Sequence, residues 1–276
     1  MKAKVYRMSG AGNLFSLIDN RSQIVSNTQK SETAQLLCCL NLQNTFAAEG
    51  MIFIENSDVC DFKADFFNPD GSSGMMCGNG GRCVVALAHK LEFFDRVENI
   101  TFEMSGVHYR ANIVDSQVDL FFPNLKIYNN LCPIQIVYED DLIELDGVFV
   151  DNGSQHYCLD IAELGEIDIA NVDLQDVGPK VRNHRVFKPE GTNCNVIQII
   201  DNHTIKLRTY ERGVEHETGA CGTGAIASAF AAENWGAEFP ITVFPTSGIP
   251  LVIKKIPHGS ILEGPAEVLQ IDDIEI

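Results

Sequence analysis

The chain has 276 residues, 45% of them hydrophobic, with 38 acidic against 20 basic side chains and a formal net charge of −18. That length allows one full core or two medium domains, while the acidic excess argues against nucleic acid or an anionic membrane as partner, since both demand a basic surface. No uninterrupted apolar run reaches membrane-spanning length, and nine cysteines, an odd number, behind an N-terminus with no apolar signal segment point to a cytoplasmic protein.

Lys4 to Asp19 reads as a strand, a Gly-rich turn at Ser9-Gly-Ala-Gly12 and a second strand, with Asn13 at the mouth of the turn. Ser31 to Leu42 reads as an amphipathic helix capped by Ser31, its apolar positions being Leu36, Leu37 and Leu40. Ala48 to Ile54 leads into a further strand. A polar loop follows, Asn68-Pro-Asp-Gly-Ser, closing on Cys77-Gly-Asn-Gly. Val84, Leu87, Ala88 and Leu91 then recur at helical spacing, so a helix starting near Gly80 would aim its free N–H groups and positive dipole end at Cys77. Both effects favour thiolate over thiol, and the same N–H groups suit the carboxylate of a small substrate. Beyond this helix, Tyr109, Ala111, Ile113 and then Val118, Leu120, Phe122 alternate around Asp115-Ser116 as a hairpin. Pro123-Asn124 suggests a crossover into a second domain.

The second half opens on a strand at Gly147-Val-Phe-Val150 and reaches His156. Gly191-Thr-Asn193-Cys-Asn195 enters another strand, and Ile205 to Tyr210 alternates into Glu211-Arg212. The loop from Glu211 ends in Ala-Cys221-Gly-Thr-Gly, a second polar loop delivering a cysteine to a helix. That helix, from Ala225, is apolar on every face until Glu233, so other structure must wrap it. Strands at Ile241-Thr-Val-Phe and Leu251-Val-Ile-Lys can do so, and Glu267-Val-Leu-Gln-Ile returns to the first domain.

Cys221 follows Cys77 by 144 residues, about half the chain. Asn13 and His156, and Glu49-Gly50 and Glu190-Gly191, keep nearly that register, which implies two related halves facing each other across a cleft. One cysteine per half is what inversion of a stereocentre needs: a base takes a proton from one face, an acid returns one to the other, and the roles swap in reverse.

Asn68-x-Asp-Gly-Ser with Cys77-Gly-Asn-Gly, and Glu211-Arg-Gly with Ala-Cys221-Gly-Thr-Gly, resemble the motifs of the diaminopimelate epimerase family over nearly the full chain. The resemblance implies an α+β fold of two pseudo-symmetric domains, each a curved mixed sheet around a central helix, spanning 1–122 with 267–276, and 123–266. It implies an epimerase that inverts one α-carbon of LL-diaminopimelate to the meso form without pyridoxal phosphate, metal or other cofactor. Cys77 and Cys221 are the expected catalytic pair. Asn13, Asn68, Gly78, Asn79, His156, Asn193, Glu211, Arg212, Gly222 and Thr223 are the expected substrate-binding residues. Arg212 would hold a carboxylate, Glu211 and His156 would hold the α-ammonium or orient the cysteines, and the helix-start N–H groups would stabilise developing charge. The partner is a small amino acid, with a homodimer as the assembly.

Leu14, Glu49 and Gln155 depart from the common family pattern, which leaves room for a racemase of broader amino-acid range. A thiol hydrolase pairing a cysteine with His156 is a second enzyme class but leaves one cysteine motif unexplained. A zinc module lacks its Cys-x-x-Cys and His-x3-His spacings. Cys38, Cys39, Cys60, Cys83, Cys132, Cys158 and Cys194 are expected to pack as small hydrophobes.

Overall fold

The computed structural model describes residues 2–39, 47–74, 76–123 and 126–275. In chain order the elements are β1 (Lys2–Gly10), β2 (Asn13–Asp19), α1 (Lys30–Cys39), β3 (Gly50–Glu55), β4 (Phe62–Phe67), α2 (Gly78–Lys90), β5 (Ile100–Met104), β6 (Val107–Val114) and β7 (Gln117–Pro123). There follow β8 (Lys126–Tyr138), β9 (Asp141–Asp151), β10 (Gln155–Asp160), α3 (Leu174–Arg182), β11 (Asn193–Asp201), β12 (Thr204–Tyr210), α4 (Gly222–Asn234), β13 (Ile241–Phe244), β14 (Leu251–Ile256), β15 (Gly259–Pro265) and β16 (Glu267–Glu275). The chain forms two compact units, one of Met1–Phe121 with Glu263–Ile276, the other of Phe122–Leu262.

In the first unit the strand order is β16-β1-β2-β3-β4-β5-β6-β7. Within it β2/β3 and β4/β5 run parallel and the other pairs antiparallel. β2 and β3 are buried on both faces, as strands covered from both sides are. On one face α2 packs against β1, β2, β3 and β16; α1 packs against β2, β3 and β4. Arg7 ties several of these elements together. Its guanidinium, 3% exposed, donates to Ser16 Oγ, to the Leu37 carbonyl at the end of α1 (2.8 Å) and to Asp272 of β16 (3.0 Å).

The second unit has the order β8-β9-β10-β11-β12-β13-β14-β15. Its pairs repeat the same succession from β8 onward, with β10/β11 and β12/β13 parallel and β8/β9, β9/β10, β11/β12 and β13/β14 antiparallel. α4 touches every strand from β9 to β14, so the sheet curves around it. This explains the sequence of α4, which buries Ala225 through Ala232 on all sides. α3 lies against β8, β11 and β12 over a core including Leu145, Tyr157, Val177, Val196 and Tyr210.

The hairpins at Ala11-Gly12 (φ 55° and 96°) and Asp115-Ser116 (φ 47° and 69°) have two central residues in the left-handed region, the twist that two-residue hairpins favour. Several expectations need correction. α1 starts at Lys30, so Ser31 lies inside its first turn and is no cap; its hydroxyl instead donates to the Gly71 carbonyl at 2.8 Å. Leu36 is exposed while Leu37 is buried. Leu40 and Leu42, like Asn124, lie outside the described residues, as does the side chain of Cys39. α2 starts at Gly78, two residues before the expected Gly80, because Cys77 itself caps it. Cys38, Cys83, Cys158 and Cys194 are buried, but Cys60 and Cys132 are only half-buried, the first in a loop and the second on a strand next to the chain's end-of-sheet hairpin.

Candidate active site

The first group of candidate residues gathers at the start of α2. Cys77 is its N-cap, with extended backbone (φ −112°, ψ 116°) and Sγ accepting from the Gly80 N–H at 3.5 Å. The Gly81 N–H bonds to the Cys77 carbonyl at 2.7 Å, so the first turn closes around the cysteine. The N–H groups of Gly78 and Asn79 then point along the helix axis, out of its N-terminus. A methyl group at Gly10 would come within 2.6 Å of the Asn79 carbonyl oxygen, so the β1–β2 hairpin lies directly on this turn. Asn13, 4% exposed, opens β2 at that hairpin.

Ahead of Cys77, the loop from Asn68 is closed on itself. Asn68 Nδ2 donates to Ser72 Oγ at 2.9 Å, and Asp70 accepts from the Ser72 N–H at 2.8 Å. Gln35 of α1 donates to the Asp70 carbonyl at 2.7 Å, anchoring the loop to the unit's outer helix. One N–H of the Asn68 amide is therefore engaged in loop structure. Arg82, one turn into α2, is fully buried and carried no signal in the sequence reading. It donates to Asn79 Oδ1 (2.8 Å), the Gly78 carbonyl (3.3 Å) and the Pro265 carbonyl (3.5 Å), with no carboxylate among these partners. Burial pulls its pKa down to about 10, against the pull of Cys83 and Cys77, so the guanidinium keeps its charge at neutral pH.

The second group gathers at the start of α4 in the same way. Cys221 is the N-cap (φ −115°, ψ 111°), and its Sγ accepts from the Gly224 N–H at 3.3 Å while the Ala225 N–H bonds to its carbonyl at 2.8 Å. Thr223 Oγ1 lies 3.5 Å from the sulfur, and Gly222 forms the buried first residue of the helix. The Glu211 carboxyl takes hydrogen bonds from Thr218 Oγ1, at 2.9 Å, and from the Cys221 thiol. Burial pushes the Glu211 pKa up, and those two hydrogen bonds only partly offset it.

Asn193 joins three loops. Its Nδ2 donates to Ser154 Oγ (3.0 Å) and to the Gln155 carbonyl (2.7 Å), and its Oδ1 accepts from the Arg212 N–H (2.8 Å). It thus fixes the start of β10, where His156 stands, relative to the Glu211–Arg212 corner. Arg212 NH1 reaches the Gly191 carbonyl at 3.5 Å and is half-buried. His156 is fully buried, and burial holds its pKa at about 4, so the ring is neutral. By contrast the packed thiols are inert: burial pushes Cys83 and Cys194 up to about 12 and raises Cys158 as well. Among the described residues no group of three or more His, Cys, Asp or Glu side chains is placed to hold a metal ion.

Cys77 and Cys221 thus share one backbone conformation and one helix N–H bond, in two units with the same strand succession. A family model described as diaminopimelate epimerase matches residues 5–118 and 148–267. The chain belongs to the diaminopimelate epimerase family. It is 34% identical over 235 residues to the diaminopimelate epimerase of Flavobacterium psychrophilum, covering 84% of this chain and 82% of the relative. It is 33% identical over 262 residues to that of Aquifex aeolicus, covering 90% and 88%. Among solved structures it resembles an Enterococcus faecalis phenazine biosynthesis protein, with a TM-score of 0.72 at 14% identity and full coverage of both chains. It also resembles a hydroxyproline epimerase from Agrobacterium vitis with bound trans-4-hydroxy-L-proline, with a TM-score of 0.71 at 13% identity, covering 99% and 92%. At these identities the two structures speak for the fold alone. Among the described residues no helix is long and apolar enough to cross a membrane. The chain is an isomerase of the amino-acid epimerase and racemase class.

Proposed function

We propose that this family member inverts the α-carbon of LL-diaminopimelate to give meso-diaminopimelate, with Cys77 and Cys221 as the two acid–base groups. The observation that carries this is the matched pair of N-capping cysteines, each accepting a helix N–H three residues on. One thiolate removes the α-proton and the other thiol delivers a proton to the opposite face. Glu211, its basicity raised by burial, accepts the Cys221 proton when that residue must act as thiolate. The substrate carboxylate is held by the N–H groups of Gly78, Asn79, Gly222 and Thr223 and by Arg212, where charge developing during deprotonation is stabilised. Asn13, Asn68 and His156 complete the binding set, with Asn193 acting through its hold on Arg212 and Gln155.

A cytoplasmic location fits the free thiols at Cys38, Cys60, Cys77, Cys83, Cys132, Cys158, Cys194 and Cys221. A homodimer is the assembly we assign, to be checked by sedimentation at micromolar protein. The catalytic assignment is tested by supplying single enantiomers of diamino, acidic and cyclic amino acids to purified protein and separating the products by chirality. Turnover of LL-diaminopimelate to the meso isomer supports the proposal. Inversion of other amino acids with none of diaminopimelate moves the chain to a broader racemase, and hydrolysis of an ester without inversion moves it to the thiol-hydrolase class.

A further inference from the structure

Inside the second unit, a chain of hydrogen bonds runs from the helix carrying Cys221 to His156. Asn195, fully buried on β11, directs Nδ2 at the Gly224 carbonyl (3.0 Å) and at Ser228 Oγ (3.0 Å). A backbone carbonyl can only accept, so the amide nitrogen must face α4, and Oδ1 must face His156 Nδ1, 3.3 Å away. The reversed amide would set two oxygens against each other. An amide oxygen also only accepts, so His156 Nδ1 carries the ring proton. The ring is neutral because burial outweighs the hydrogen bond to Asn195, which favours the charged form, with Arg212 also disfavouring that charge and Asp151 favouring it. Nε2 is therefore a bare lone pair, and it is buried without a partner among the described residues. Cys158, the other polar neighbour on β10, bonds to Asn195 and Ser228 as a neutral thiol.

We propose that Asn195 is a positioning residue that locks His156 in the Nδ1–H tautomer, so that Nε2 meets the substrate as an acceptor and takes its α-ammonium group rather than a carboxylate. This rests on the reading of His156 as a substrate-binding residue. Gly224 links the device to the catalytic thiol: its N–H bonds to Cys221 Sγ while its carbonyl orients Asn195. A methyl group at Gly224 would sit 3.1 Å from Cys221 Cβ and 3.2 Å from both Asn195 Nδ2 and Cys221 Sγ, so glycine is what lets both side chains close on this turn.

The test is nitrogen NMR of the protein labelled with 15N-histidine, the His156 signals being assigned by their loss in His156→Ala. The expected wild-type spectrum has Nδ1 protonated and Nε2 bare, and Asn195→Leu should bring protonated Nε2 into the mixture. In the same variant kcat/KM for epimerisation should fall roughly tenfold, the worth of about one hydrogen bond. Asn195→Asp keeps an acceptor for Nδ1, though it gives up the bond to the Gly224 carbonyl, and its charge favours imidazolium, so the acid limb of the pH–rate profile should move to higher pH. Adding Asn195→Leu to His156→Ala should cost nothing further. A protonated Nε2 in the wild type, or an equal loss from Asn195→Leu when His156 is already alanine, would overturn the proposal. The spectra do not depend on turnover, so failure of the tautomer assignment and failure of the epimerase reading register in different measurements.

Discussion

Cys77 and Cys221 share a backbone conformation and a helix N–H bond but differ in the charges around them. A buried, charged Arg82 stands near Cys77, whereas Cys221 hydrogen-bonds to the Glu211 carboxyl. A nearby cation favours thiolate, so Arg82→Met should slow alkylation of Cys77 at neutral pH while leaving Cys221 at its wild-type rate. Peptide-resolved iodoacetamide kinetics reads both sites at once; equal slowing of the two would discount the Arg82 effect. For Glu211 the folded pKa is raised, so between its unfolded and folded values the native state holds the extra proton. Stability from this group is present below the unfolded pKa and is lost as pH rises through the folded one. Glu211→Gln should therefore stabilise the fold at neutral pH, seen as a higher urea midpoint that converges on wild type in acid, while epimerase activity falls. The cysteine caps were legible because each loop and its helix start are contiguous in sequence. Arg82 was not, since a basic residue in an apolar helix gives no hint of which side it faces, and His156 meets Asn195 only through strand pairing 39 positions away.

Elements that join a sheet to its helices carry their own tests. Lys30, 2% exposed at the start of α1, pairs with Glu55 of β3 (2.7 Å) and Asp65 of β4 (2.6 Å). Burial would raise the Asp65 pKa, but its bonds to Lys30 and Lys63 win and lower it. Lys30→Met leaves Glu55 without this cation and Asp65 with Lys63 alone, and should cost about 3 kcal/mol, measured by urea unfolding at pH 7. Because the Asp65 pKa is lowered, the stability this cluster gives is present above the unfolded pKa and is lost as pH falls through the folded one, so the difference between variant and wild type should shrink in acid. Gly10→Ala forces a methyl group against the Asn79 carbonyl and should cost about 1–3 kcal/mol together with activity, because it displaces the turn that caps on Cys77. The strongly periodic hairpins and α4 could be read from pattern. The turn between β8 and β9, Glu139-Asp140, could not: like Asp115-Ser116 it takes positive φ at both residues without Gly or Asn, but Pro133 inside β8 breaks the strand pattern that leads into it. Nor could α3, whose Gly178-Pro179 reads as a turn. Gly178 is there because the Tyr210 ring would lie 2.5 Å from any Cβ at that position.

Across the whole molecule, the 144-residue spacing of the two cysteines corresponds to two eight-strand units whose first six strand pairs follow one succession of parallel and antiparallel contacts. The other landmarks correspond only loosely. Gly191 is left-handed (φ 71°) two residues before β11, whereas Gly50 is the first residue of β3 and makes room for the Phe66 ring. Asn13 opens β2, whereas His156 is the second residue of β10. Loops around the shared caps have diverged because each packs against different neighbours, and that divergence hides substrate choice from sequence. The central claim is that two thiols exchange the α-proton with solvent on opposite faces, and it is tested most directly by incubating LL-diaminopimelate with the protein in deuterium oxide. The expected product is meso-diaminopimelate with solvent deuterium at the inverted carbon, and Cys77→Ala and Cys221→Ala should each abolish inversion while retaining the fold. Meso product without solvent label, or wild-type inversion by either variant, would contradict it.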